Sequence, residues 1–197
     1  MSLNQLLQNA PSNLPILQAT FGLERESLRI NNSSRNVAQT PHPKVLGNRS
    51  FHPYIQTDYS EAQVELITPI AQSTRQALRF LEAITDVVGR SIPKDEYLWP
   101  LSMPPKLTAD EIIIAQLDSQ YERDYRQHLS KVYGKLLQSM SGIHYNMELG
   151  KSLVQSLFEQ SQYQSMVSFK NALYLKLAQN FLRYRWLLTY LYGASPI

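Results

Sequence analysis

The stretch Gly22-Leu-Glu-Arg-Glu-Ser-Leu-Arg-Ile30 constrains the fold of this chain more than any other. Its residues alternate, with Leu23, Arg25, Ser27 and Arg29 on one side and Glu24, Glu26, Leu28 and Ile30 on the other. Side chains two apart on a strand share a face. Read as a strand, the segment sets Glu24 and Glu26 beside an apolar pair that faces the core. Two carboxylates on the inward side of a sheet lose hydration and repel each other, which is costly unless a cation sits between them. The strand therefore points to a metal site.

The chain has 197 residues, enough for one domain with a hydrophobic core, or one domain and part of another. At 43% apolar and 18% charged residues it reads as a folded soluble chain rather than a disordered one. A net charge of +3 is too small to imply a nucleic-acid partner by itself. Absence of cysteine excludes disulfides, thiolate metal sites and cysteine nucleophiles. The first basic residue is Arg25, so no signal peptide is expected, and the longest apolar stretch, Trp186 to Leu191, is too short to span a bilayer. These features predict a cytoplasmic protein with no membrane partner.

Local patterns predict strands and helices without regular alternation. A short helix is expected over 2–9, a strand over 19–30, a turn at Asn31-Asn32-Ser33-Ser34 and a returning partner strand over Asn36 to Thr40. The chain reads as loop from Pro41 to Pro53, then as strand from about Glu61 to Thr68, stopped by Pro69. Ser73 suits the N-cap of a helix over 74–90, whose apolar stripe is Ala77, Leu78, Leu81, Ile84, Val87 and Val88. Leu98 to Pro105 is a proline-rich connector. Further helices are expected over 110–117, 119–139, 152–160 and 165–192, with a strand over Ser141 to Leu149. The pattern favours an α+β fold with an antiparallel sheet over a doubly wound parallel one.

Each of three strand regions brings oxygen or imidazole donors. The first offers Glu24 and Glu26; the second Asp58, Glu61 and Glu65, with Gln63 on the Glu65 face; the third His144, Asn146 and Glu148, two apart and so on one face. Mg²⁺ takes oxygen ligands, and Mn²⁺ also tolerates histidine. Taken singly, each residue has a plainer reading: an exposed strand face for Glu24 and Glu26, a turn or cap for Asp58, a hydrogen-bonded histidine for His144. Spacing does not decide whether the three strands converge. No glycine-rich phosphate loop and no G-x-S-x-G elbow is present. An ATP-using protein of this sequence would rely on metal ions and basic side chains. Arginines and aromatics interleave at Arg183-Tyr184-Arg185-Trp186, which fits an amphipathic helix with solvated arginines and core aromatics better than a nucleic-acid surface.

Five segments then carry a resemblance: Gly22 to Arg29; Thr57-Asp58-Tyr59-Ser60-Glu61 with Glu65-Leu-Ile-Thr-Pro69; Leu98-Trp-Pro-Leu-Ser-Met-Pro104; Tyr133-Gly134 leading to Ser141-Gly-Ile-His-Tyr-Asn146; and Tyr192-Gly-Ala-Ser-Pro196. In this order and at these intervals they resemble bacterial glutamate–cysteine ligase (γ-glutamylcysteine synthetase) over almost the whole chain. The ligase half of fused bifunctional glutathione-synthesis proteins is similar too. The resemblance implies a fold like that of glutamine synthetase, a curved antiparallel sheet with outer helices, here incomplete at the C-terminus. It implies ATP-dependent joining of the glutamate γ-carboxylate to the cysteine amine through γ-glutamyl phosphate, with Mg²⁺ or Mn²⁺ as cofactor. By motif position it implies Glu24, Glu26, Asp58, Glu65 and His144 as metal ligands. It further implies Tyr59, Tyr125 and Leu129 at the cysteine site and Arg126 and Asn146 in substrate or nucleotide binding.

Members of that family continue well past the Gly-Ala-Ser-Pro motif. Residues 1–197 are accordingly expected to be the N-terminal part of a single ligase domain, with an incomplete metal cluster and little activity alone. The aromatic last helix is expected to expose surface and to favour self-association. Two other readings stay open: a γ-glutamyl ligase that uses another amine, and a catalytically silent fragment that binds nucleotide or a partner.

Overall fold

The computed structural model describes Gln5 and residues 18–193. The helix expected over 2–9 lies outside the described residues apart from Gln5. Contacts within the chain gather into two units, one formed by Ala19–Glu148 and one that includes Leu149 onward. Elements of both kinds are present, around an antiparallel sheet.

In the first unit the long strand β1 (Ala19–Asn31) is the spine of the sheet. β2 (Ile55–Thr57), β3 (Gln63–Ile67) and β4 (Glu96–Leu98) join it in the order β2-β3-β1-β4, and β5 (Ile143–Leu149) also pairs with β1. β3 lies antiparallel to β1 with Glu26 opposite Glu65 and Leu28 opposite Gln63. The other edge of β1 is shared. The Glu26 N–H donates to the Gly142 carbonyl (3.0 Å) at the start of β5, and the Trp99 N–H donates to the Leu28 carbonyl (2.8 Å) just past β4.

The alternation of β1 behaves as the sequence implies. Leu28 and Ile30 are buried in one cluster with Val37, Ala38 and Ala62. The opposite face carries Leu23 toward Ala71 and Ala77. There, α1 (Thr74–Ser91) sets Val88 against Val64 and Leu66. Ser73 caps α1, its side chain accepting from the Gln76 N–H. The seam of α1 is Ala77, Leu81, Ile84 and Val88; Leu78 and Val87, counted in the expected stripe, flank it and are more than half exposed. Each fully buried Leu or Val contributes roughly 1.5–3 kcal/mol.

Three local expectations fail. Asn36 to Thr40 forms no strand, only the single bridge between Ile30 and Val37, because Thr40 turns away to the Arg29 guanidinium. Residues 110–117 contain only a 3₁₀ turn, Ala109–Glu111. Ile112, Ala115 and Leu117 are buried beyond it on extended backbone, whose amide and carbonyl groups pair with the turn at 59–61 rather than along a helix. The helix expected over 119–139 is α2 (Gln120–Tyr133), stopped by Gly134 at φ +78°, a conformation that favours glycine. A 3₁₀ turn at Leu137–Ser139 follows.

Arg29, on the Leu23 face of β1, is fully buried. Its guanidinium pairs with Glu96 at 2.8 Å and donates to the Thr40 hydroxyl (2.7 Å), the Thr40 carbonyl (2.6 Å) and the Glu61 carbonyl (3.1 Å). Burial lowers its pKa while Glu96 opposes that shift.

In the second unit α3 (Lys151–Glu159) and α4 (Met166–Tyr192) pack through Leu153, Val154, Leu157, Phe169 and Leu173. Gly150 precedes α3 because its N–H meets the Gln18 carbonyl at 2.6 Å, where a Cβ would lie 2.7 Å from that oxygen. From Leu175 onward α4 leaves Phe181, Trp186, Leu188 and Tyr190 exposed. The aromatics expected as core around Arg183 to Trp186 have no apolar partner among the described residues that would bury them.

Candidate metal and substrate site

The face of β1 that carries Leu28 and Ile30 turns acidic toward its N-terminal half. Glu26 is the best-held acid. Its Oε2 accepts from the Gly142 N–H (2.8 Å) and the Gln63 amide (3.3 Å), and its Oε1 meets His144 Nε2 at 3.2 Å. Glu24 Oε1 accepts from the Asn146 amide at 2.8 Å. β5 thus faces both β1 acids with an alternating His144 and Asn146, as the two-residue spacing implies. The crossing at Gly142 is close: a Cβ there would lie 3.2 Å from His144 Nε2 and 3.4 Å from Glu26 Oε1, so the imidazole would have to shift by a few tenths of an ångström.

Glu65 and Asp58 complete an electrostatically coupled set. Burial pushes the Glu65 carboxyl up to about 7, helped by Asp58, Glu24 and Glu26 and opposed by His144. Burial, then the Glu26 charge, raises Asp58, while the Tyr59 N–H, Arg126 and His144 pull the other way. The His144 imidazole is raised, first by its hydrogen bond to Glu26. Glu24, Glu26 and Asp58 therefore lie near enough to Glu65 for their charges to help raise it.

As the side chains stand, no three of these groups among the described residues converge closely enough to hold one ion. The chemistry of the donor set nevertheless fits a hard divalent cation: carboxylate oxygens with free lone pairs, one imidazole, and a carboxyl driven toward its protonated form by burial and then by neighbouring negative charge. Gln63 adds a buried amide whose Oε1 has no partner.

Of the expected substrate-binding residues, Asn146 sits on β5 against Glu24, Tyr59 follows Asp58 directly, and Tyr125, Arg126 and Leu129 lie on α2. Arg126, on α2, donates from Nε to the Asp58 carbonyl at 2.7 Å. Tyr59 is buried, whereas Tyr125 on α2 is exposed and Leu129 half-buried one turn along. An open cleft of about 350 Å³ beside Glu24 is lined by Thr20, Gly22, Thr68, Ile70, Asn146 and Glu148, among others. Glu61 departs from the set: its carboxylate accepts from the His42 N–H (3.0 Å), the Gln116 N–H (2.9 Å) and Arg49. Three of its roughly four acceptor sites are taken, two on Oε1 and one on Oε2. Sequence reasoning missed Gly142 as a donor to Glu26; its place before the alternating His144 and Asn146 is the signal that was there.

The glutamate–cysteine ligase family profile matches residues 3–197, and the chain belongs to that family. It is 68% identical over 197 residues to the glutathione biosynthesis bifunctional protein of Streptococcus mutans, covering 100% of this chain and 26% of that protein. It therefore spans about a quarter of the length of the curated relatives it matches. The crystal structure of a bifunctional glutathione synthetase from Pasteurella multocida superposes with a TM-score of 0.86 at 50% identity, covering 92% of this chain and 24% of that one. The glutamate–cysteine ligase of Francisella tularensis, solved in complex with AMP, gives 0.84 at 33% identity, covering 91% and 36%.

Proposed function

We propose that this chain supplies the N-terminal part of one catalytic domain that joins the γ-carboxylate of glutamate to the amine of cysteine at the expense of ATP, in the cytoplasm. The observation that carries the reading is the gathering of Glu24, Glu26 and Glu65 on one face of the paired strands, Glu26 opposite Glu65, with His144 on Glu26 and Asp58 from the adjacent turn close enough to help raise Glu65 to about 7. Like charges brought this close to a half-buried carboxyl are relieved when a cation binds among them.

Glu24, Glu26, Asp58, Glu65 and His144 would hold Mg²⁺ or Mn²⁺, which screens the anionic carboxylate and phosphates from one another when bound. The protein's own contribution is orientation. Gly142 and Gln63 aim Glu26, Asn146 aims Glu24, and Arg126 holds the backbone of Asp58. Tyr125 and Leu129 offer apolar surface with one hydroxyl for a compact thiol-bearing amine, to which the buried Tyr59 adds little, and Asn146 and Arg126 offer polar contacts to the anionic substrates.

A chimaera tests this reading: the chain replaces the matching quarter of the Streptococcus mutans protein, and γ-glutamylcysteine formation from glutamate, cysteine and ATP is measured. The chimaera is expected to be active with Mg²⁺, and Glu24→Ala or Glu65→Ala to lower activity at least a hundredfold. A folded chimaera without activity, or acid variants at wild-type rate, would overturn it. The 197-residue chain alone is expected to show little ligation.

A further inference from the structure

The turn 58–62 carries Asp58 and Tyr59 and belongs to no strand, so its polar groups need partners elsewhere. The Asp58 N–H donates to the Gln63 carbonyl (3.0 Å) and the Gln63 N–H to the Ser60 carbonyl (2.9 Å), closing the turn on itself. The Ala115 N–H donates to the Tyr59 carbonyl (3.0 Å) and the Glu61 N–H to the Ile113 carbonyl (2.8 Å). From below, Arg29 on β1 reaches the turn twice, its backbone N–H to the Ala62 carbonyl (2.8 Å) and its guanidinium to the Glu61 carbonyl (3.1 Å).

Glu61 gathers the rest. Its carboxylate, 4% exposed with the whole residue, binds the loop at His42, the loop at Arg49 and the extended segment at Gln116. Burial alone would raise its pKa; the Gln116 and His42 N–H groups and the Arg49 guanidinium outweigh that and hold it below the ordinary carboxylate range. A buried carboxylate held by three donors from three separate segments acts as an anchor of the fold. Since Arg29 lies three residues beyond Glu26 on the same strand, a continuous buried path runs from the strand of the β1 acids, through Arg29 and Glu61, to the turn that presents Asp58.

We infer that the buried Arg29–Glu61–Arg49 lattice sets the spacing between the acids of β1 and Asp58, making Glu61 and Arg49 positioning residues for the cation site. The inference rests on the cation reading proposed above. Partners that orient ligands without touching the ion change metal affinity by about 10- to 100-fold when removed.

The test uses the 197-residue chain, with Mn²⁺ affinity measured by electron paramagnetic resonance and amide hydrogen exchange measured without metal. Glu61→Gln is expected to weaken Mn²⁺ binding about tenfold or more. Exchange should quicken at Asp58, Glu61, Gln63 and Ala115, while Ala77 and Ile92 of the α1 region stay protected. Arg49→Lys, which keeps the charge, should lose less affinity than Arg49→Met. A lowered melting temperature with unchanged Mn²⁺ affinity would reduce Glu61 to a purely structural residue and overturn the inference, as would loosening spread evenly over α1. If Glu61→Gln does not fold, the double variant Glu61→Met/Arg49→Met, which leaves no unpaired charge, is judged by the same criteria. A wild-type chain that binds no Mn²⁺ at millimolar concentration defeats the cation reading itself. Exchange that quickens only in the turn then shows the lattice holding the turn with no cation to position it for, which separates failure of the cation reading from failure of the lattice but overturns the inference as stated.

Discussion

Glu65 gives the sharpest handle on the acidic cluster. Its carboxyl is raised from 4.5 to about 7, first by burial and then by Asp58, Glu24 and Glu26. A raised carboxyl favours the proton-bound form in the folded state. Its stabilising effect is complete below the unfolded value and is lost as pH climbs through about 7. At about 1.4 kcal/mol per pKa unit the full shift would be worth roughly 3 kcal/mol. The carboxyl is only half-buried and water screens it, so about 1–2 kcal/mol is the expected loss. Glu65→Gln removes the titration while keeping the shape. In urea denaturation without divalent ions, Glu65→Gln should be about 1–2 kcal/mol more stable than wild type at pH 8, and the gap should close by pH 5. Mn²⁺ should restore the wild type at pH 8 and leave the variant less affected, following mass action. A variant less stable than wild type at pH 8, or a gap independent of pH, would refute the reasoning.

Three further outcomes follow from other parts of the molecule. His42 is buried against Thr57, and burial followed by Arg49 and Arg29 lowers its pKa to about 4. Its neutral form is favoured in the fold, so stability should fall by about 2–3 kcal/mol between pH 6.5 and 4; denaturation of His42→Gln should lack that part of the slope. Glu96→Gln leaves the Arg29 guanidinium buried with neutral partners only and should cost about 3 kcal/mol in urea denaturation. The exposed apolar length of α4 should drive self-association, seen in light scattering as a mass above 22.7 kDa that falls on dilution or on Trp186→Glu.

Much of the sheet was legible because residue types alternate along β1 and β5, Glu24 and Glu26 against Leu23 and Arg25 and His144 and Asn146 against Ile143 and Tyr145, and that alternation is written directly in residue order. Pairing was not: which donors meet which acids follows from register, set by contacts between residues as far apart as Glu26 and Gly142. β2 and β4 escaped notice because three-residue strands, Ile55–Thr57 and Glu96–Leu98, carry too few alternations to read. The apolar positions 112, 115 and 117 fit a helix or an extended chain equally, and the tertiary partners at Tyr59 and Glu61 decided for extended. Glu61 itself was visible as an acid among acids. Its separation from Asp58 and Glu65 came from three donors in distant segments, none of which local sequence announces.

The central claim is that Glu24, Glu26, Asp58, Glu65 and His144 share one cation-binding cavity. Paramagnetic broadening by Mn²⁺ in the amide spectrum of the ¹⁵N-labelled chain tests it directly. The amides of Asp58, Gln63, Gly142 and His144 should broaden first and recover when Mg²⁺ is added in excess. Broadening centred on other acids, such as Asp86 or Asp110, or none at millimolar Mn²⁺, would contradict the account.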